Sequence, residues 1–172
     1  MRMQFVPWRR IADWECLTCG TCCKLYSVVI DFPEWLRIAQ TSGIEKTIAG
    51  IDRLYIKRKA DGSCAFLCSF SNVHFCGLQQ MKPRACQIWP FKILDNPQYG
   101  WSREAAYEFG GNWLYIYVDS TCNGVHYGAP SFTFVNQKLK EFVEIAVGLR
   151  RVQLKTTSNS LFPSRKLQWT PF

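Results

Sequence analysis

The chain has 172 residues, a hydrophobic fraction of 48% and a mean hydropathy of −0.12, which is enough apolar material for one buried core. That composition excludes a disordered chain, and no apolar run approaches the ~20 residues that a membrane span needs. Lysine and arginine number 21 against 13 acids, and the stretch 150–172 holds five of the cations and no acid. Such a tail suits phosphate or an acidic partner, and a solvated terminus has the same composition.

Residues 1–10 lack the apolar stretch of ~7–15 residues that a secretory signal requires. The expected setting is therefore cytoplasmic and reducing, where thiols stay free or bind metal. The β-branched and aromatic run 25–30 predicts a strand. Asp31 then predicts a helix cap, with Pro33 in the first turn, a body to about Thr41 and Gly43 as the stop. A second strand is expected over 54–58, ended by the Asp61-Gly62 turn, and a third over 113–118. Gly110-Gly111 reads as a turn. Across 132–149, Val135, Leu139, Phe142, Val143, Ala146 and Leu149 recur on one face at helical spacing. Lys138, Lys140, Glu141 and Glu144 lie mostly away from it. A linker follows at 156–160, then an aromatic-basic arm. The fold class read from this pattern is α+β, a small irregular metal-stabilised domain with short strands, long cysteine-bearing loops and a C-terminal amphipathic helix. The domain is expected over 1–150 and the basic tail over 151–172.

The chemistry sits in the cysteines. Cys16, Cys19, Cys22 and Cys23 put four thiols in eight residues, more than core packing asks for. The C-x₂-C spacing lets two sulfurs converge on one metal because the intervening turn folds the chain back, and Gly20 supplies freedom for that turn. The run C-x₂-C-x₂-C is similar to the opening of the bacterial ferredoxin motif. Adjacent side chains diverge, so either Cys22 or Cys23 serves a second site or the pair bridges two metals. Cys64, Cys76 and Cys86 follow among Phe66, Phe70, Phe75, Trp89 and Phe91, apolar walls that would keep water off a cluster. Cys122 stands alone. These eight sulfurs would complete two four-sulfur sites, and an odd total of nine fits metal chemistry better than full disulfide pairing. Cys68 reads as a small buried hydrophobe. His74 and His126 lie near Cys76 and Cys122 and read as surface or core imidazoles. No Ser/His/Asp arrangement, P-loop or GxGxxG is present.

These residues together resemble the YkgJ-type CxxCxxCC cysteine-cluster family, a zinc- or iron-chelating domain. Its first block stands as Cys16, Cys19, Cys22 and Cys23, and its Gly-x-Cys-x-Phe-Leu phrase as residues 62–67. The third block maps without a gap onto Cys76 through Phe91, and Cys122-Asn123-Gly124 resembles the late Cys-Pro-Gly. Departures are Leu78 for Ile, Gln79 for Tyr, Lys82 for Arg, Gln87 for Arg and Asn123 for Pro. They leave every cysteine of the pattern in place, whereas Cys68 is extra to it. The resemblance implies metal or iron–sulfur binding, and larger relatives include flagellin lysine methylases with an iron–sulfur centre.

Four thiolates suit structural zinc and iron–sulfur clusters alike. The C-x₂-C-x₂-C run and the relatives favour iron–sulfur, as [4Fe–4S], in an electron carrier or cluster-bearing accessory with a redox or protein partner. A zinc-stabilised module that binds nucleic acid or a ribonucleoprotein through its basic tail is the alternative. A cluster-dependent protein-modification enzyme is a third reading.

Overall fold

The computed structural model describes residues 5–70 and 73–154. The expected linker at 156–160 and the arm beyond it lie outside the described residues.

The run 112–119 alternates tightly enough to bury Leu114, Ile116 and Val118 on one face, and it forms β10 (Asn112–Asp119). It organises a four-stranded antiparallel sheet with β1 (Phe5–Pro7), β8 (Phe91–Leu94) and β9 (Ala106–Phe109), the last entered through a one-turn helix, α4 (Ser102–Ala105). Register sets Val6 opposite Val118, Ile93 opposite Ile116 and Tyr107 opposite Leu114. Gly110 and Gly111 turn β9 into β10 with φ of 60° and 78°, the left-handed pair that a tight hairpin needs.

Against this sheet lies the late helix. It opens as a wide π-type turn over Phe134–Leu139 and tightens into an α-helix (α5, Lys140–Ala146). Leu139, Phe142 and Val143 are buried as the apolar spacing requires, and Phe134 is buried where Val135, its expected neighbour on that face, is only half-buried. Two details differ from expectation. Leu149 lies past the helix end and is 74% exposed, whereas Glu141 is buried. The wide turn changes the helical period, so Glu141 comes to face inward. Its carboxylate accepts the Leu154 N–H at 3.1 Å and stands 3.8 Å from Arg150. The chain as far as Leu154 is fixed to the domain, because Gln153 is also buried and its Nε2 donates to the Gln87 carbonyl.

A second, smaller layer surrounds α2 (Phe32–Ser42). Asp31 caps this helix in a reciprocal box with Glu34, and Gly43 ends it at φ 91°, as its sequence predicts. The helix covers a three-stranded sheet in the order β3 (Val29–Ile30), β5 (Leu54–Ile56), β4 (Thr47–Ala49). The strand expected over 25–30 is thus reduced to its last two residues. Leu25 instead ends a short helix, α1 (Thr21–Leu25), and the Arg58 guanidinium donates to the carbonyls of Lys24 and Tyr26 just there. That clamp satisfies helix-end acceptors and stops the segment from extending as a strand. The two-stranded pairs β6 (Leu67–Phe70) with β7 (Val73–Cys76) and β2 (Ile11–Trp14) with β11 (Val125–Tyr127) complete the sheets. The domain is mixed helix and strand with small sheets, as read from the sequence.

Two hydrophobic cores result. The first joins Ile11, Trp14, Phe91, Ile116, Phe134 and Phe142, and Cys16 and Cys122 pack against it. The second joins Ile30, Ile38, Ile56, Cys64, Leu67 and Leu78, with Cys23 and Cys76 against it. The cysteines therefore line the joint between the cores. Among the described residues no helix is long and apolar enough to cross a membrane.

Candidate metal centre

Three short elements carry four of the thiols. Gly20, at φ 70°, supplies the left-handed turn that starts α1, and a Cβ there would meet the His74 ring at 2.9 Å. The helix then projects Cys22 and Cys23. Cys76 ends β7, and Cys86 rides on α3 (Arg84–Ile88), five residues that follow Pro83. Cys64 is held by its N–H to the Cys23 carbonyl at 2.8 Å. Cys122 lies in the turn after β10, where Asp119 organises the chain. The buried Asp119 carboxylate accepts the Thr121 N–H and Oγ1–H and the Tyr26 hydroxyl, and its carbonyl accepts the Cys122 N–H.

Six of the eight expected ligands, Cys16, Cys22, Cys23, Cys64, Cys76 and Cys86, line one cavity of about 390 Å³. Cys19 and Cys122 are not on its wall. They stand behind Cys16, close enough that charge on Cys19 and Cys16 would raise the Cys122 pKa. Folding thus regroups the two sequence clusters: Cys64, Cys76 and Cys86 join Cys16, Cys22 and Cys23 at the cavity, and Cys122 comes within electrostatic reach of Cys16 and Cys19. All nine cysteines are free thiols. The Cys22 and Cys23 sulfurs lie 4.0 Å apart and face the same cavity, where divergence was expected. The short helix curls the two side chains toward each other. Cys68 is exposed on β6, not buried, because its strand presents it to solvent. Among the described residues no three Cys, His, Asp or Glu side chains converge tightly enough to hold an ion as they stand, so thiol rotation would have to accompany binding.

The apolar wall is Phe66, Phe75 and Trp89. Phe91 belongs to the first core and Phe70 is 77% exposed, so neither of these expected wall residues contributes. Trp14 Nε1 donates to the Cys122 sulfur at 3.4 Å, and Tyr26 stacks on Trp89 with centroids 4.2 Å apart. His74 lines the cavity with both ring nitrogens engaged. Lys24 Nζ donates to Nε2 at 3.2 Å, which leaves Nδ1–H for Ser69 Oγ at 2.7 Å. His126 lies exposed, 3.7 Å from Glu15.

Two cavity residues went unassigned in the sequence. The Gln79 side-chain nitrogen is buried and has no hydrogen-bond partner among the described residues, although it borders the thiols. A buried donor left unmatched costs about 1–3 kcal/mol, and a sulfur acceptor in the cavity would relieve that cost. Lys82 also borders the cavity, and its charge lowers the pKa values of Cys16, Cys22, Cys76 and Cys86. Both positions stood out only as departures from a family pattern, with no role attached.

Burial pushes up the thiols of Cys16, Cys64, Cys76, Cys86 and Cys122 from an ordinary value of 9.0. Cys22 moves the other way, down to about 6, because the Cys23 thiol donates to its thiolate, and Cys23 rises in exchange. The sign of the stability effect follows. For the raised thiols, stability is full below 9.0 and is lost as pH rises through the folded values; for Cys22 it is lost as pH falls through about 6. The reduced, metal-free protein should therefore be most stable between pH 6 and 9. Urea midpoints across that range and above it check this, and a midpoint that climbs beyond pH 9 contradicts it. A metal-loaded sample, with sulfurs already deprotonated, should vary less on the alkaline side.

No curated protein and no solved structure matches the chain. A family described as "CxxCxxCC: Putative zinc- or iron-chelating domain" matches residues 15–123. That span includes every thiol of the cavity, together with Cys19 and Cys122, and it covers well over half of the sequence. The chain belongs to the CxxCxxCC family of zinc- or iron-chelating domains.

Proposed function

We propose that this protein is a cysteine-ligated metalloprotein that binds one or more iron–sulfur clusters of the [4Fe–4S] kind and acts as an electron carrier or cluster-bearing accessory to a redox partner. The ligand set is Cys16, Cys19, Cys22, Cys23, Cys64, Cys76, Cys86 and Cys122. The observation that carries the reading is one cavity that combines six thiols with a stranded amide donor, Gln79 Nε2. Soft sulfur donors fit iron–sulfur and zinc, and an N–H with no oxygen partner suits a site whose acceptors are sulfurs. When bound, the cluster supplies one-electron chemistry. The protein's own part is to order the thiols on α1, β7 and α3, exclude water with Phe66, Phe75 and Trp89, and offset thiolate charge with Lys82.

A second reading, zinc, has its own support. Four sulfurs at ~2.3 Å from zinc lie roughly 3.8 Å apart, close to the 4.0 Å between Cys22 and Cys23. Anaerobic purification followed by metal analysis, visible spectra and electron paramagnetic resonance separates the two. The expected protein is brown, contains iron and sulfide, and bleaches on reduction. A colourless protein with stoichiometric zinc overturns the iron–sulfur reading and leaves zinc. Gln79→Leu should lower the reduction potential, since an N–H···S bond favours the more negative, reduced state. An unchanged potential would remove Gln79 from that role.

A further inference from the structure

A second concavity lies on the far side of α3 from the thiols. It has a volume of about 580 Å³, within the range of small-ligand sites, and is bounded by α2, the start of α3 and the segment after α5. Arg37, Lys82, Arg84, Arg150 and Arg151 come to it from those separate stretches. Two acids, Asp31 and Glu34, also line it, but both are occupied. Asp31 Oδ1 accepts the Glu34 N–H at 2.8 Å, and Glu34 accepts the Asp31 N–H at 3.1 Å and the Arg84 N–H at 2.7 Å. Arg150 is held by Glu144 at 2.7 Å. Arg37, Arg84 and Arg151 are exposed, and among the described residues no carboxylate pairs with any of them.

We propose that this cleft binds a small organic molecule that carries a phosphate group. Guanidinium forks from three chain segments that meet around one concavity match the oxygens of a phosphate, which planar donors hold bidentately. Leu36 and Met81 provide an apolar surface beside them for the organic part. A nucleic-acid strand would ask instead for cations in a track with exposed aromatics, and among the described residues no aromatic side chain lines the cleft. Helix α3 is the partition between the two sites. Arg84 and Gln87 face the cleft, Cys86 faces the thiol cavity and Lys82 borders both. The ligand is thus placed one short helix from the metal centre, and the inference holds whichever metal the cysteines take.

Calorimetric titration of the full-length protein at low salt, with inorganic pyrophosphate and with adenosine monophosphate, tests this. Both should bind at one site per chain, and affinity should fall as salt is raised. Arg37→Gln and Arg84→Gln should each weaken binding about tenfold or more, the loss expected for one charge-assisted hydrogen bond. Arg151→Gln is an independent check, because the Arg151 carbonyl, not its side chain, holds Gln87. A full-length variant with Lys155, Arg165 and Lys166 changed to Gln should bind both probes as the parent does. Absence of saturable binding, indifference to the three arginine changes, or loss in the tail variant alone would overturn the proposal. Tighter binding of a short single-stranded RNA that depends on the tail would do so as well.

Discussion

Replacement of both Cys64 and Cys76 by serine is expected to abolish stoichiometric metal binding and to lower the melting temperature by more than ~10 °C. The reason is where these thiols sit. Cys64 lies in the second core and Cys76 packs against it, whereas Cys16, on the same cavity wall, packs against the first, so a metal held there would tie the two together. Structural thiolate–zinc sites supply about 10–16 kcal/mol of folding free energy, and a chain of this size moves by about 2–4 °C per kcal/mol. A fraction of that energy is sufficient for the expected shift. Chelation of the parent protein should reproduce the loss. Cys68→Ser should change neither metal content nor melting, because Cys68 is exposed on β6. Metal analysis and thermal melting of the double variant read the outcome directly. Full metal content in the double variant would mean that the cavity is not the site.

The second large effect lies in the first core. Phe142→Ala should destabilise the domain by ~3–5 kcal/mol, the range for loss of a buried aromatic and the void it leaves. Phe142 is fully buried, lies 4.4 Å from the Phe91 ring and meets Trp14 edge-on at 5.2 Å. Backbone relaxation cannot fill that space cheaply, since the sheet and the late helix hold both sides. The consequence reaches the metal centre through Trp14, whose indole N–H donates to Cys122. Urea unfolding should show a lower midpoint with an unchanged slope. The variant should also lose metal to a competing chelator faster than the parent. A loss below 1 kcal/mol would show that the late helix packs elsewhere.

The elements that were legible in the sequence are those specified by local chemistry. The α2 cap is written in Asp31, Glu34 and Pro33 because capping needs only neighbours three residues apart. β10 follows from its alternation, and the hairpin before it from two glycines at positive φ. The strand that composition predicts over 25–28 does not form, because Arg58, more than thirty residues away, decides that stretch. A regular helical period puts Glu141 at the surface, and the π-type turn that alters the period leaves no mark in the pattern.

The cysteine spacing alone determined that this chain carries a thiol-rich metal-binding domain, since four thiols in eight residues serve little else. Which thiols meet was a matter for tertiary structure. The first cluster is divided, with Cys16, Cys22 and Cys23 on one cavity wall beside Cys64, Cys76 and Cys86, while Cys19 stays off that wall with Cys122. Gln79, Lys82 and Asp119 acquire meaning only there as well. A stranded amide, a shared cation and a buried carboxylate are defined by what surrounds them in space, and proximity across fifty or a hundred residues is set by the packing of two cores.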